Sequence, residues 1–215
     1  MFAAICSFVF IFSFSGEENT GIEILATGTF FEGETEAQNG ELWLGIFNTN
    51  ERYELRTVEL TVTAEHSLAD RLEGKKTGKR ISVTGEEGTL LFLLRSQNNI
   101  FVEGAVFPSI VESENLDIGV SIPCDENTEI VTTSKGLFLT DGIITQRLSN
   151  VYPDSYGEGV AVVWAGDLDG DNKIDIVLDD QPHYAFKHFY RLFLSSEASA
   201  GDLVKEVAQF VTVSC

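Results

Sequence analysis

The chain has 215 residues, 43% of them hydrophobic, so it is long enough and apolar enough to bury a core. Its 34 Asp and Glu residues outnumber its 14 Lys and Arg residues, which gives a formal net charge of −20 at pH 7. A surface this negative repels nucleic acid and anionic lipid, and it attracts divalent cations. The composition therefore excludes a disordered acidic tail and argues against nucleic acid as a partner.

The first 16 residues, MFAAICSFVFIFSFSG, carry no charge and are almost wholly apolar. They are shorter than the about 20 residues that a membrane-spanning helix needs. They match the apolar core of a secretory signal peptide, and Ser13 and Ser15 supply the small-x-small spacing of a cleavage site. The absence of Lys or Arg before the apolar run leaves a buried strand as the alternative. We predict a signal peptide at residues 1–16, a periplasmic or secreted protein, and no membrane span in the mature chain.

Removal of this leader, which contains Cys6, leaves two cysteines, Cys124 and Cys215. An even number of cysteines in an exported chain favours a disulfide, so we predict a bridge between these two. Two free thiols are the alternative. A lipid anchor on Cys6 is disfavoured because the bulky Ile5 precedes it.

The chain after the leader has the composition and alternation of β-strands, with turns rich in Gly, Asn and Glu between them. Helical patterns are confined to residues 68–72 and 202–210. We predict an all-β protein of antiparallel, sandwich-like sheets. Proline and acidic residues at 107–124 suggest an N-terminal β region at 17–112 and a C-terminal one at 113–215. Predicted strands lie at residues 22–31, 41–47, 54–63, 80–84, 89–95, 137–139, 143–148, 160–164, 174–178 and 189–194.

The segment 164–178, WAGDLDGDNKIDIVL, is the one motif that carries clear chemistry. Calcium prefers six to eight oxygen ligands in a flexible arrangement, which carboxylates at alternate positions of a curled loop can supply. An acidic turn without an ion would leave four carboxylates repelling one another. We therefore predict a calcium site in this acidic loop, residues 167–175. The predicted ligands are the side chains of Asp167, Asp169, Asp171 and Asp175 and the main-chain carbonyl of Lys173.

Two features of the loop agree with this interpretation. Gly170 and Asn172 are residue types that tolerate the left-handed backbone which a tight curl requires. The side chain of Lys173 is expected to point outward, so its charge does not oppose the ion.

The acidic loop resembles the calcium loop of the FG-GAP (VCBS, integrin-propeller-like) repeat, whose consensus is similar to GDLDGDGKPDLVV between two strands. An EF-hand would place Glu at the twelfth position and a helix after it, whereas this chain has Leu178 and a strand-like exit. The resemblance covers about residues 160–210 and implies later strands at 190–195 and 204–210. Asn172 replaces the usual Gly, and the repeat occurs once, so a multi-blade propeller is not expected.

Three functions are compatible with these patterns. The leading hypothesis is a non-catalytic exported protein with a structural calcium ion, acting as an interaction or adhesion module toward a protein or glycan. A secreted hydrolase would need two carboxylates converging in an open cleft near the loop. A carbohydrate-binding module would need exposed aromatic residues, for which Trp43 and Trp164 are the candidates. His183 and His188 are interpreted as non-catalytic, because residues five apart on a strand face opposite ways.

Overall fold

A computed structural model describes residues 21–31, 33–50, 52–66, 76–85, 87–113, 116–151, 159–181 and 187–213. These residues form sixteen β-strands in three sheets, and every strand pairing is antiparallel. The predicted all-β class is confirmed, and the sheets do not form a closed propeller. Among the described residues, no helix has the length and apolarity to cross a membrane. The predicted leader, the helical pattern at 68–72 and Cys215 lie outside the described residues.

The N-terminal sheet is a half-barrel of seven strands in the order β1-β6-β3-β4-β5-β2, with β7 paired to β4. β1 and β2 stand at opposite ends of this order although only Ala26 and Thr27 separate them, so the sheet curls. The single strand predicted at 22–31 is therefore two strands. The seven strands are β1 (Ile22–Leu25), β2 (Gly28–Phe31), β3 (Leu42–Thr49), β4 (Arg52–Glu65), β5 (Gly78–Val83), β6 (Thr89–Ser96) and β7 (Gly104–Val106).

The rest of the described chain forms a five-stranded and a four-stranded sheet. The five-stranded sheet has the order β16-β15-β14-β13-β8, and the four-stranded sheet has the order β12-β11-β10-β9. The five-stranded sheet contains β8 (Pro108–Val111), β13 (Gly159–Gly166), β14 (Asp175–Gln181), β15 (Lys187–Leu194) and β16 (Lys205–Val213). The four-stranded sheet contains β9 (Ser121–Pro123), β10 (Glu129–Thr133), β11 (Gly136–Thr140) and β12 (Thr145–Ser149).

The helical pattern at residues 202–210 is wrong as a prediction of local structure, whereas the strand that the FG-GAP resemblance implies at 204–210 is present. Residues 205–213 form β16, which pairs with β15 from Lys187 to Leu194. This ladder pairs the backbone groups on the inner edge of β16, and the strand buries Val207 and Phe210, which outweighs a weak local helical preference.

The five-stranded sheet lies between the other two sheets and contributes to two hydrophobic cores. Val177, Leu192 and Phe210 pack into the core of the half-barrel. Ile176, Leu178 and Phe193 pack into a second core with the four-stranded sheet. Successive residues of a strand face opposite sides, so β13, β14 and β15 of the central sheet each serve both cores. β8, which precedes the predicted boundary after residue 112, also belongs to this sheet.

A β-bulge in β13 decides where Trp164 lies. The pairing of β13 with β14 shifts between Val162 and Trp164. In a regular strand these two residues would share a face, but the bulge sends Val162 to one core and Trp164 to the other. Trp164 is fully buried and packs edge-to-face with Tyr53 and Phe92, at centroid distances of 5.8 and 6.4 Å. The acidic loop begins three residues after this anchor.

Candidate metal centre

The acidic loop connects β13 to β14 at the point where Gly166 pairs with Asp175. Gly166 is required there, because a Cβ atom would lie 2.9 Å from the carbonyl oxygen of Phe107, which precedes β8. Leu168 is 2% exposed and belongs to the half-barrel core, so one apolar side chain fixes the start of the loop. Gly170 and Asn172 have φ angles of 83° and 63°, which confirms the predicted left-handed backbone.

Three of the predicted ligands converge. Asp167, Asp169 and Asp175 each place a carboxylate oxygen within 4.8 Å of the other two. Ligands on opposite sides of a calcium ion lie about 4.8 Å apart, because a calcium–oxygen bond is about 2.4 Å long. Asp175 is fully buried, whereas Asp167 and Asp169 are half-buried. This aspartate triad could hold a metal ion.

Backbone amides hold the carboxylates of the triad in place. Asp175 accepts hydrogen bonds from the Leu168 amide at 2.8 Å and the Ser195 amide at 2.9 Å, one on each oxygen. Asp167 accepts from the amides of Gly170 at 2.7 Å and Asn172 at 2.9 Å. Asp175 Oδ2 and both oxygens of Asp167 accept one of these bonds each, so each keeps a second lone pair with which to coordinate an ion.

Asp171 and Lys173, the other two predicted ligands, lie beside the triad. The carboxylate of Asp171 accepts a hydrogen bond from the Ser195 hydroxyl at 3.0 Å, and this hydroxyl is also 3.2 Å from Asp175 Oδ1. The side chain of Lys173 is 69% exposed, as expected, with its ammonium group 3.8 Å from Asp171. Coordination by Asp171 and by the Lys173 carbonyl stays a prediction.

The electrostatics of the triad favour a cation. The pKa of Asp175 is raised to about 7, chiefly by burial and also by the charges of Asp169 and Asp171, against the hydrogen bonds from the two backbone amides. Burial also raises the pKa of Asp169, helped by the charges of Asp171 and Asp167 and opposed by a hydrogen bond from Ser196. Ionising these groups together is costly without a positive charge among them.

Ser195 and Ser196 are the site residues that the sequence did not indicate. They follow the last residue of β15, and their hydroxyls donate to Asp171, Asp175 and Asp169. Ser195 is 20 residues from Asp175, and Ser196 is 27 residues from Asp169. No spacing rule connects such positions. Only the pairing of Ile176 with Phe193 in β14 and β15 brings them to the loop.

The remaining candidates from the sequence are the two tryptophans, the two histidines and Cys124. Trp43 is 5% exposed and Trp164 is 0% exposed, which counts against a carbohydrate-binding surface built on these tryptophans. His188 is a half-buried side chain whose Nδ1 lies 2.8 Å from the carboxylate of Asp179, and His183 lies outside the described residues. Cys124 is a free, buried thiol and gives no support to the predicted bridge.

Comparison with known proteins finds no relative of this chain. No family model matches the chain, and no curated protein or solved structure matches it. The resemblance to the FG-GAP repeat therefore rests on the residues of the acidic loop and on its position between two strands.

Proposed function

We propose that this chain is an exported calcium-binding β protein whose ion is structural. The observation that carries the proposal is the convergence of three carboxylates, one of them fully buried, on a loop between two core strands. The loop keeps these groups together through backbone hydrogen bonds, although they repel one another when they are ionised.

Calcium is the cation that best suits this set of donors. Every candidate ligand is an oxygen, which favours hard cations over zinc or copper. Asp171, the Lys173 carbonyl and water can add to the triad and bring the coordination number to six or more. Magnesium prefers near-ideal octahedral geometry and keeps several waters, whereas a curled loop with many carboxylates offers flexible coordination.

A structural role follows from where the loop is attached. β13 and β14 contribute Trp164 and Val177 to one core and Ile176 and Leu178 to the other. An ion that fixes the connection between these strands therefore supports both cores. It also draws the end of β15 toward the loop through Ser195. Export rests on the apolar residues 1–16, and the exposed sheets would serve an interaction with a protein or glycan.

Calcium titration by calorimetry tests the proposal directly. We expect wild-type protein, stripped of metal, to bind one calcium ion and to prefer it to magnesium. Asp169→Asn should weaken binding at least about tenfold. Asp202→Asn is the matched control, because Asp202 is an exposed aspartate outside the loop, and it should bind like wild type. At a hundredfold excess of calcium over Kd, the folded state should gain about 2.7 kcal/mol.

Two outcomes would contradict the proposal in different ways. If the stripped protein takes up no calcium and its melting temperature ignores both calcium and chelator, the metal site is wrong. If the mass of the protein recovered from its native source still includes residues 1–16, the predicted leader is not removed as we propose.

A further inference from the structure

A concave surface on the outer face of the four-stranded sheet forms a pocket that shares no residue with the calcium site. Its volume is about 560 Å³. Val131 of β10 and Phe138 of β11, which are paired across the two strands, form its apolar floor. Leu137 and Leu139, the chain neighbours of Phe138, face the other way and are buried in the second core. Phe138 itself is half-buried, so it keeps part of its surface open to solvent.

Polar side chains surround this apolar floor and are accessible from outside. Ser134 and Lys135 form the turn between β10 and β11, line the pocket and are exposed. The Lys135 amide donates to Thr133 Oγ1 at 3.0 Å and fixes the turn, but no described residue bonds to the Ser134 hydroxyl or the Lys135 ammonium group. At the other end of the pocket, Thr145 Oγ1 lies 3.0 Å from Thr140 Oγ1 and is itself exposed. These groups can therefore meet a ligand without breaking an internal bond.

Two positive charges lie at this pocket, although the chain as a whole carries a net charge of −20. Lys135 lines the pocket, and the exposed Arg147 of β12 lies on the same face because it pairs with Phe138. Within the described ranges of the chain, neither cation forms an ion pair with a carboxylate. Two carboxylates at the far end of the sheet are held locally, since Glu129 accepts from a serine of β9 and Asp141 from two amides of its own turn. The two cations are therefore complementary to a negative charge supplied by a ligand.

The ligand that fits has one apolar face, a rim of hydroxyl groups and a single negative charge. A uronic acid in its pyranose form has these features, because its axial C–H groups suit the negative face of an aromatic ring. The pocket volume lies in the range of small-molecule sites. An extended polyanion would be repelled by the acidic chain, whereas salt confines the field felt by one carboxylate to about 8 Å.

We propose that this pocket binds a uronic acid residue of a glycan, with the sugar ring on Phe138 and the carboxylate at Lys135. The assignment names a ligand for the interaction role of the proposed function and rests on that role. It does not rest on the calcium site, whose residues are elsewhere in the molecule.

The test compares three probes on the whole protein in calcium. Methyl β-D-glucuronide and methyl β-D-glucoside share one ring and differ only in a carboxylate against a hydroxymethyl group, while acetate has the charge without the ring. The amide shifts of β10, β11 and β12 are followed by NMR. We expect saturable shifts with the glucuronide and at least about tenfold weaker binding of the other two probes. Equal binding of the glucoside or of acetate would overturn the proposal, and so would no saturation at tens of millimolar glucuronide.

Variants assign the two contacts separately. Phe138→Ala should weaken glucuronide binding about tenfold, whereas Phe107→Ala, at an 82% exposed phenylalanine outside the pocket, should bind like wild type. Lys135→Gln should bind the glucuronide no better than the glucoside. If Phe138→Ala does not fold, Lys135→Gln at its exposed turn and the comparison of probes on wild type decide the question. Undiminished glucuronide binding in either pocket variant would refute the assignment.

Calorimetry with calcium on the same samples keeps this proposal distinct from the proposed metal site. Wild-type protein that takes up calcium but not the glucuronide would refute the glycan pocket alone. Protein that binds the glucuronide through Phe138 and Lys135 but takes up no calcium would support the pocket and refute the metal site.

Discussion

The raised pKa of Asp175 leads to a quantitative prediction about the stability of the ion-free protein. Its pKa rises from the ordinary 3.8 to about 7 in the folded state, chiefly through burial. A folded-state pKa above the unfolded value means that the stability contribution is complete below about pH 4 and is lost as the pH rises to about 7. The whole change corresponds to about 4 kcal/mol, of which about 2.6 kcal/mol falls between pH 5 and pH 8.

Bound calcium should remove this loss, because the ion favours the ionised carboxylate. The measurement is the free energy of unfolding by urea at half-unit steps from pH 5 to pH 8, in calcium and in chelator. We expect the two curves to diverge with rising pH by about 2.6 kcal/mol, or about 5–10 °C in melting temperature. Asp175→Asn should flatten the curve in chelator, whereas Asp202→Asn should not. Parallel curves in calcium and chelator would show that Asp175 does not face a cation.

Three further predictions concern other parts of the structure. Ser195→Ala removes a hydroxyl shared by two carboxylates of the loop and should weaken calcium binding about tenfold by calorimetry, with little change in the calcium-free melting temperature. Trp164→Ala, at a fully buried position, should cost about 3–5 kcal/mol in urea unfolding, whereas Phe107→Ala, at an 82% exposed position, should stay within about 0.5 kcal/mol. Burial raises the pKa of Cys124 to about 12, so its thiol should resist alkylation at pH 8 until the protein is unfolded; rapid labelling of folded protein would contradict its burial.

Local sequence patterns predicted the features of this protein that depend on residues close together in the chain. β-branched and aromatic runs bounded by turn residues indicated the all-β class. The alternating aspartates indicated the acidic loop. Gly170 and Asn172 indicated its left-handed backbone, because few other residue types adopt positive φ without strain.

Pairing between strands that are distant in the chain determines the features that local sequence patterns could not predict. The split of residues 22–31 into β1 and β2 depends on partners at opposite ends of the half-barrel. Ser195 reaches the loop only through the register of β14 and β15, and no pattern near it suggests a site. The same holds for the pairing of Asp180 with Arg191, which sequence reasoning missed because two residues on neighbouring strands leave no local periodicity.

The central position of the five-stranded sheet has a consequence for how the molecule unfolds. Trp164 and Val177 complete one core, while Val162 and Ile176, on the same strands, complete the other. If either outer sheet detached, apolar side chains of the central sheet would be exposed to solvent. The strands that carry them also pack in the other core, so that core would be weakened as well. The chain should therefore melt in one cooperative transition, and a fragment cut between the half-barrel and the central sheet should expose its interior and aggregate.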